Sequence, residues 1–398
     1  MKCIPKFLKL VLISLFLLGY FPSAQAEVGV FPNKIVLGSS EALSGHVGFL
    51  GQNLSLGLKS YFNYINDQGG INGRKIELLI LDDKYEPNLT IINTRKLITQ
   101  SFALIGYIGT PTTVAVVSEI ESNKIPLLGP FTGAHQLRFP FRRYIFNIRN
   151  SYWAETAALV EYAVDVLKKD KIAVFYQNDA YGQTGCQGVE NHLMKKYGKE
   201  VICKAVYQRG EKDVSAQARK ICACKPDVVM MIGTYDACAS FIKTAKRLGC
   251  KAIFMNISFV GSYKLKEILK RDAEGVIISQ VVPPPTDTKF AAVKEYQKLM
   301  QKYFPGKPLT FVGLEGFIDA KVMVEALKRV KGALTREALV EAFENLKDLD
   351  IGIGAKISYS KVDHEGLDVV YITQIKNNRF HLLQQKKITP LLPTQVTF

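Results

Sequence analysis

Short apolar, β-branched runs alternate with longer stretches of helical period along most of this chain, and that alternation limits the folds open to it. Residues 34–38, 76–81, 103–108, 125–128, 171–176, 228–232, 252–256 and 275–279 are apolar almost without a break. Runs of that kind read as parallel strands buried on both faces. Between them, residues 53–67 place Leu54, Leu58, Tyr61, Phe62 and Ile65 on one helical face, and 155–168 and 237–248 behave alike. Strand then helix, repeated, predicts βαβ units and doubly wound α/β sheets covered by helices. The 398 residues exceed what one core usually holds, about 250–300, so two domains are expected. The pattern runs through both halves, which points to two similar lobes rather than a solenoid.

Turn residues fall where this reading needs them. Gln68-Gly69-Gly70-Ile71-Asn72-Gly73 ends the first helix, and Lys225-Pro226-Asp227 ends another just before a strand. Pro283-Pro284-Pro285 is a stiff extended segment suited to a crossover between lobes. Catalytic motifs do not stand out. There is no Gly-x-Ser-x-Gly elbow and no phosphate loop, and Gly352-Ile353-Gly354 lacks the third glycine of a dinucleotide site. The five histidines are scattered, and Asp82-Asp83 after a strand reads as a cap or surface charge rather than a metal site. A non-enzyme without cofactor or metal is therefore expected.

Residues 1–26 have the build of a cleaved export signal: Lys2, Lys6 and Lys9, an apolar run from Leu10 to Phe21, then Ala24-Gln25-Ala26. The expected cut precedes Glu27, not a cysteine, so a periplasmic protein without a lipid anchor is predicted. Cleavage removes three lysines and no acids and lowers the net charge from +16 to +13. The charge invites a nucleic-acid reading, but a signal occupies the place where repressors of this architecture carry a helix-turn-helix, so no nucleic-acid partner is expected. Six cysteines remain after cleavage: Cys186, Cys203, Cys222, Cys224, Cys238 and Cys250. In an oxidising compartment they favour one or more structural disulfides over zinc, with the pairing left open. Cys222, Cys224 and Cys250 each follow a predicted helix and precede a predicted strand, so they are expected at one end of a sheet.

Several segments, taken together and in order, resemble a known family. They are Leu43-Ser44-Gly45 with Gly51-Gln52, then Gly69-Gly70-Ile71-Asn72-Gly73-Arg74-Lys75-Ile76-Glu77 followed by Asp82-Asp83, then Ile105-Gly106, Ile125-Pro126-Leu127, Asn178-Asp179-Ala180-Tyr181-Gly182, Lys225-Pro226-Asp227-Val228-Val229 and Asp363-x-x-Gly366. The family is that of type I periplasmic solute-binding proteins of branched-chain amino acid ABC importers, typified by the leucine/isoleucine/valine-binding protein. The resemblance implies two doubly wound parallel-sheet lobes joined by a three-strand hinge, closing on a small molecule that a membrane ABC permease then receives. It implies lobe one over 27–147 and 281–360, and lobe two over 148–280 and 361–398. The chain would cross between lobes near 146–150, 280–285 and 356–364. A monomer is expected. The alternative implied by the same fold is a ligand-sensing subunit acting on a separate signalling partner.

The resemblance also implies site residues. Thr110, with Ile108 and Gly109 beside it, matches the hydroxyl that receives a ligand carboxylate. Phe131, Thr132 and Gly133 match a second contact loop, Tyr181 a lobe-two tyrosine, and Thr234 and Tyr235 the place of another. Phe49 and Leu50 lie where an aromatic wall is usual. Two departures stand out. Ser258 occupies the place of the relatives' ammonium-binding glutamate, and Tyr152 that of an aspartate after the first hinge. An enclosed ammonium without an anion would cost several kcal/mol, so branched-chain amino acids are not the expected ligands. The relatives' lobe-one disulfide is also missing, with Tyr85 and Gly109 at its two places. Phe49, Phe131, Tyr152, Tyr181, Tyr235 and Phe259 together suggest an aromatic cleft for a small carboxylate or aromatic metabolite. Arg149 is either a carboxylate partner or an inter-lobe salt bridge.

Overall fold

A computed structural model describes residues 27–387. The expected signal at 1–26, like the last residues of the chain, lies outside the described residues. Two main sheets carry the fold. The first is built from β1 (Lys34–Glu41), β2 (Lys75–Asp82), β3 (Ala103–Ile105), β4 (Leu127–Leu128) and β5 (Ile145–Phe146), in the order β2-β1-β3-β4-β5 and parallel throughout. Its helices are α1 (Gly48–Asp67), α2 (Pro87–Ile98) and the short α3 (Thr110–Val114) and α4 (Val117–Ser122).

After β5 the chain enters α5 (Tyr152–Glu161), which continues as a single π turn through residues 162–166. The second sheet follows: β6 (Ile172–Gln177), α6 (Ala180–Tyr197), β7 (Cys203–Tyr207), α7 (Ser215–Ala223), β8 (Val228–Ile232), α8 (Tyr235–Arg247), β9 (Ile253–Asn256), α9 (Ser262–Leu269) and β10 (Ile277–Gln280). The chain then returns through α10 (Ala291–Tyr303), α11 (Phe311–Arg329) and α12 (Arg336–Glu344). Of these, α10 and α11 pack against α1 of the first lobe. A small hairpin, β11 (Leu349–Asp350) with β12 (Lys356–Ile357), precedes β13 (Val369–Lys376) and β14 (Arg379–Lys387). The last two rejoin the second sheet, whose order is β14-β13-β10-β9-β8-β6-β7. Only its β10–β13 and β13–β14 pairings are antiparallel.

The predicted alternation is thus observed, and the fold class holds. The strand at 228–232 has the expected bounds, while β3 stops at Ile105 because Gly106 turns with φ 67°. Three segments join the lobes. Asn147 pairs with Glu365 in parallel, with the Asn147 amide donating to the His364 carbonyl (2.9 Å) and the Gly366 amide to the Asn147 carbonyl (2.8 Å). The third segment runs from β10 through Pro283-Pro284-Pro285 to α10. Arg138 ties the first two together: it donates to the Arg149 carbonyl (2.8 Å) and pairs with Glu365 (3.1 Å). The crossing expected near 356–364 thus falls at its end, at 364–367, because β12 is still part of the hairpin before it.

The ligand cleft at the inter-lobe junction

In a parallel α/β sheet the loops at the carboxyl ends of the strands form the ligand crevice, and the helices that follow begin there. Both lobes present those ends to each other. Lobe one contributes the β3–α3 and β4–β5 loops. The Ile108 and Phe131 backbones form a parallel bridge that extends the sheet one step further. Thr110 and Thr132 then sit side by side, with their hydroxyls 2.6 Å apart and both residues fully buried. Gly109, at φ 97°, is needed for two reasons. Its backbone lies in the left-handed region, and a Cβ there would stand 2.2 Å from the Tyr85 ring. The Tyr85 ring therefore packs directly on Gly109. Gly133 is similarly constrained, since a Cβ would stand 2.5 Å from the Tyr152 amide, which donates to the Gly133 carbonyl (2.8 Å).

Lobe two supplies Tyr152, Tyr181 and Phe259. Phe259 is the hub: its ring centroid is 4.7 Å from Tyr181, 5.6 Å from Phe131 and 6.1 Å from Tyr85, and Tyr152 lies 5.2 Å from Tyr181. All five rings are buried. The Arg149 guanidinium lies 4.3 Å from the Phe131 centroid. Five of the expected site residues (Thr110, Phe131, Thr132, Tyr152 and Tyr181) are therefore brought together with Arg149 at one locus. Phe49, Leu50 and Tyr235 form a second group. Phe49 meets Tyr235 edge-on at 6.2 Å and stacks on Tyr263 at 6.0 Å, while Leu50 faces Gly261. Thr234 stands at the N-cap position of α8 without a side-chain capping bond, and its amide donates to the Tyr207 hydroxyl (3.0 Å).

Polar groups inside this shell fall into two sets. Some are satisfied within the protein. The Tyr181 hydroxyl donates to the Gly233 carbonyl (3.3 Å), and Asp179 caps α6 by accepting from the Tyr181 and Gly182 amides. Others are buried without a hydrogen-bond partner: the hydroxyls of Tyr85 and Tyr152, Nη1 of Arg149, and both amide atoms of Asn256, which ends β9 three residues before Phe259. Buried polar atoms are nearly always paired in folded proteins. A group of unpaired ones, on both lobes and around an aromatic shell, makes this the candidate site for a polar molecule.

Two expectations about charge change. Arg149 is not free to receive a ligand carboxylate with its whole fork, because Nε and Nη2 hold Glu315 of α11 bidentately at 2.8 and 3.0 Å. It is a salt bridge from the hinge to lobe one. Second, lobe two does carry a buried carboxyl group at the Ser258 position. Glu155, in the first turn of α5, accepts from the Ser258 amide (2.8 Å), the Ser258 hydroxyl (2.9 Å) and the Ser279 hydroxyl (2.7 Å). Burial raises its pKa, while Arg149 and these donors act the other way. Sequence reasoning missed Glu155 and Glu315. The available signal was an acid inside an otherwise apolar helix, as at Tyr152–Glu161 and Phe311–Arg329. On α11 the next turn adds Asp319, fully enclosed with neither oxygen hydrogen-bonded, and burial followed by Glu315 pushes its pKa well up. The Asp82-Asp83 pair is structural: Asp82 accepts from the Leu43 and Lys84 amides, and Asp83 from the Ser40 hydroxyl and the Tyr85 amide. Among the described residues no cluster of metal-ligating side chains occurs, and no helix is long and apolar enough to cross a membrane.

The lobes also touch at the mouth. Arg209, after β7, donates to the Tyr85 carbonyl (3.3 Å) and pairs with Glu86 (3.3 Å) across the gap.

Residues 34–379 match the model of the periplasmic binding protein family. The chain belongs to that family. A Pseudomonas aeruginosa amino acid binding protein is 27% identical over 224 residues, covering 56% of this chain and 60% of its own length. The leucine-specific-binding protein of Salmonella typhimurium is 23% identical and is covered over 89% of its length, against 85% of this chain. Among solved structures, a possible leucine/isoleucine/valine-binding protein from Rhodopirellula baltica superposes with a TM-score of 0.83 at 31% identity, covering 88% of this chain and 96% of that one. A fatty acid ABC transporter substrate-binding protein from Thermomonospora curvata gives a TM-score of 0.84 at 23% identity, over 91% and 94% of the two chains, and shares the fold.

Proposed function

We propose that this chain is the periplasmic receptor of an ABC importer, binding a small organic acid with an aromatic or apolar body between lobes 27–147 with 281–360 and 148–280 with 361–398. The observation that carries this reading is the set of unpartnered buried groups on Tyr85, Tyr152, Arg149 and Asn256 around the Phe259 hub. The Thr110–Thr132 hydroxyl pair and the loop amides beside it receive the carboxylate, and Phe131, Tyr152, Tyr181 and Phe259 enclose the body. Ligand binding favours the closed form because both lobes contribute contacts that exist only when they meet. The protein holds its solute unchanged and delivers it to a membrane permease.

Glu155 alters the argument about amino groups. Lobe two does hold a carboxyl group beside Ser258, so an aromatic amino acid is a candidate alongside a simple aromatic acid. What disfavours the branched-chain amino acids is the ring-lined shell. Trp153 is the single tryptophan of the chain and stacks on His135 of lobe one at 4.2 Å, so its fluorescence reports on the hinge. Titration of the purified protein with phenylacetate, L-phenylalanine, octanoate, L-leucine and L-valine tests the reading. Tighter response to one of the aromatic compounds is expected, and response to leucine or valine alone overturns it.

A further inference from the structure

Of the six cysteines among the described residues, Cys203 in β7 and Cys224 just after α7 are joined as a disulfide, and Cys186 and Cys238 are buried thiols. Cys222 and Cys250 are different. Both are half-buried and pack against the same core. The topology brings them together. Strands β8 and β9 are parallel neighbours in which Val228 faces Ile253, and the Ile253 amide donates to the Asp227 carbonyl (2.9 Å). Cys222 lies in the last turn of α7, shortly before β8, and Cys250 follows the left-handed Gly249 (φ 74°) shortly before β9. Helices α7 and α8 pack on each other, so the two approaches to the sheet converge at its amino edge, away from the cleft. The two thiols are close enough to interact: burial first, then Cys250, pushes the Cys222 thiol up to about 12.

We infer that Cys222 and Cys250 are a second disulfide site, closed by thiol–disulfide exchange in the oxidising compartment. One thiolate attacks the disulfide of an exported protein oxidant or of oxidised glutathione and releases one thiol. The other then displaces the second thiol from the mixed disulfide. Two cysteine thiols and one external disulfide give the Cys222–Cys250 bond and two external thiols, so atoms and electrons balance. The bond would interlock with Cys203–Cys224, because both depend on the end of α7. Together they would staple β7, α7, β8 and the α8–β9 turn at the edge opposite the ligand. This inference is independent of the ligand reading.

The test is unreduced peptide mapping of the full chain after incubation with oxidised glutathione and alkylation. Trypsin spares the Lys225-Pro226 bond, so Cys203, Cys222 with Cys224, and Cys250 fall in peptides 200–204, 221–243 and 248–251, the second of which also carries Cys238. The expected product is one species linking all three. Cys222→Ser should release 248–251 and leave 200–204 attached to 221–243. Recovery of 248–251 alkylated at Cys250 from the oxidised wild type overturns the inference. So does retention of 248–251 by the Cys222→Ser protein, which would place Cys250 on another thiol. Circular dichroism of the variant and the intact 200–204 link confirm that it has folded.

Discussion

Replacing Tyr152 by phenylalanine separates ligand recognition from packing. The side chain is fully buried and its ring packs on Tyr181, yet its hydroxyl makes no well-formed hydrogen bond, with the Thr132 side chain and Gly133 backbone its nearest polar influences. A buried unsatisfied hydroxyl costs about 1–3 kcal/mol. Tyr152→Phe removes that cost from the ligand-free closed form and removes one hydrogen bond from the complex. The unfolding free energy should therefore stay level or rise. Affinity for the solute should fall by the same ~1–3 kcal/mol, or about 5- to 150-fold in Kd, at 1.4 kcal/mol per tenfold. Tyr181→Phe is the control. Its hydroxyl already donates to the Gly233 carbonyl within lobe two, so it should lose about 0.5–1.5 kcal/mol of stability with little change in Kd. Isothermal calorimetry gives the affinities and urea unfolding the stabilities. Unchanged affinity in Tyr152→Phe, or a loss of stability larger than its loss of affinity, would refute the reasoning.

Glu315→Gln leaves Arg149 buried without its bidentate partner and should cost about 3–5 kcal/mol, whereas a paired Arg149→Met/Glu315→Met change should cost less than either single one, as urea unfolding would show. Glu41 is enclosed with only the Ser39 and Ser55 hydroxyls, and burial raises its pKa to about 8. Its folded pKa lies above the unfolded value, so the unfolded state ionises first and stability falls as pH rises from about 4.5 to 8, by at most ~1.4 kcal/mol per pH unit. Glu41→Gln should flatten that part of the stability profile, and parallel wild-type and variant profiles would remove Glu41 as its source. Arg209→Ala deletes the contacts to Tyr85 and Glu86 at the mouth. Those are partly exposed, so Kd should rise only about 2- to 5-fold by calorimetry, with no loss of lobe stability.

Most of the architecture was legible because parallel strands buried on both faces leave unbroken apolar runs. The exceptions have physical causes. In β7 the residues of Cys203–Tyr207 alternate between the core and solvent at a sheet edge, so no continuous run appears. In β14 the run Arg379–Lys387 alternates at period two and pairs antiparallel with β13, which lies outside any βαβ repeat. At the site, the family resemblance pointed to Thr110, Phe131, Thr132, Tyr152 and Tyr181 as neighbours. It could not place Glu155, because a helix in another part of the chain brings that carboxylate to Ser258. Nor could it choose between the two roles of Arg149, since that depended on Glu315, far away in sequence and adjacent only through the return of α11 to lobe one.

The central claim is that one solute is held between the lobes and leaves as it entered. Native mass spectrometry of the chain saturated with its solute tests this directly. The account predicts one solute per chain, released on denaturation at its original mass, with occupancy lowered by Tyr152→Phe. A released compound of altered mass, or occupancy indifferent to Tyr152, would contradict it.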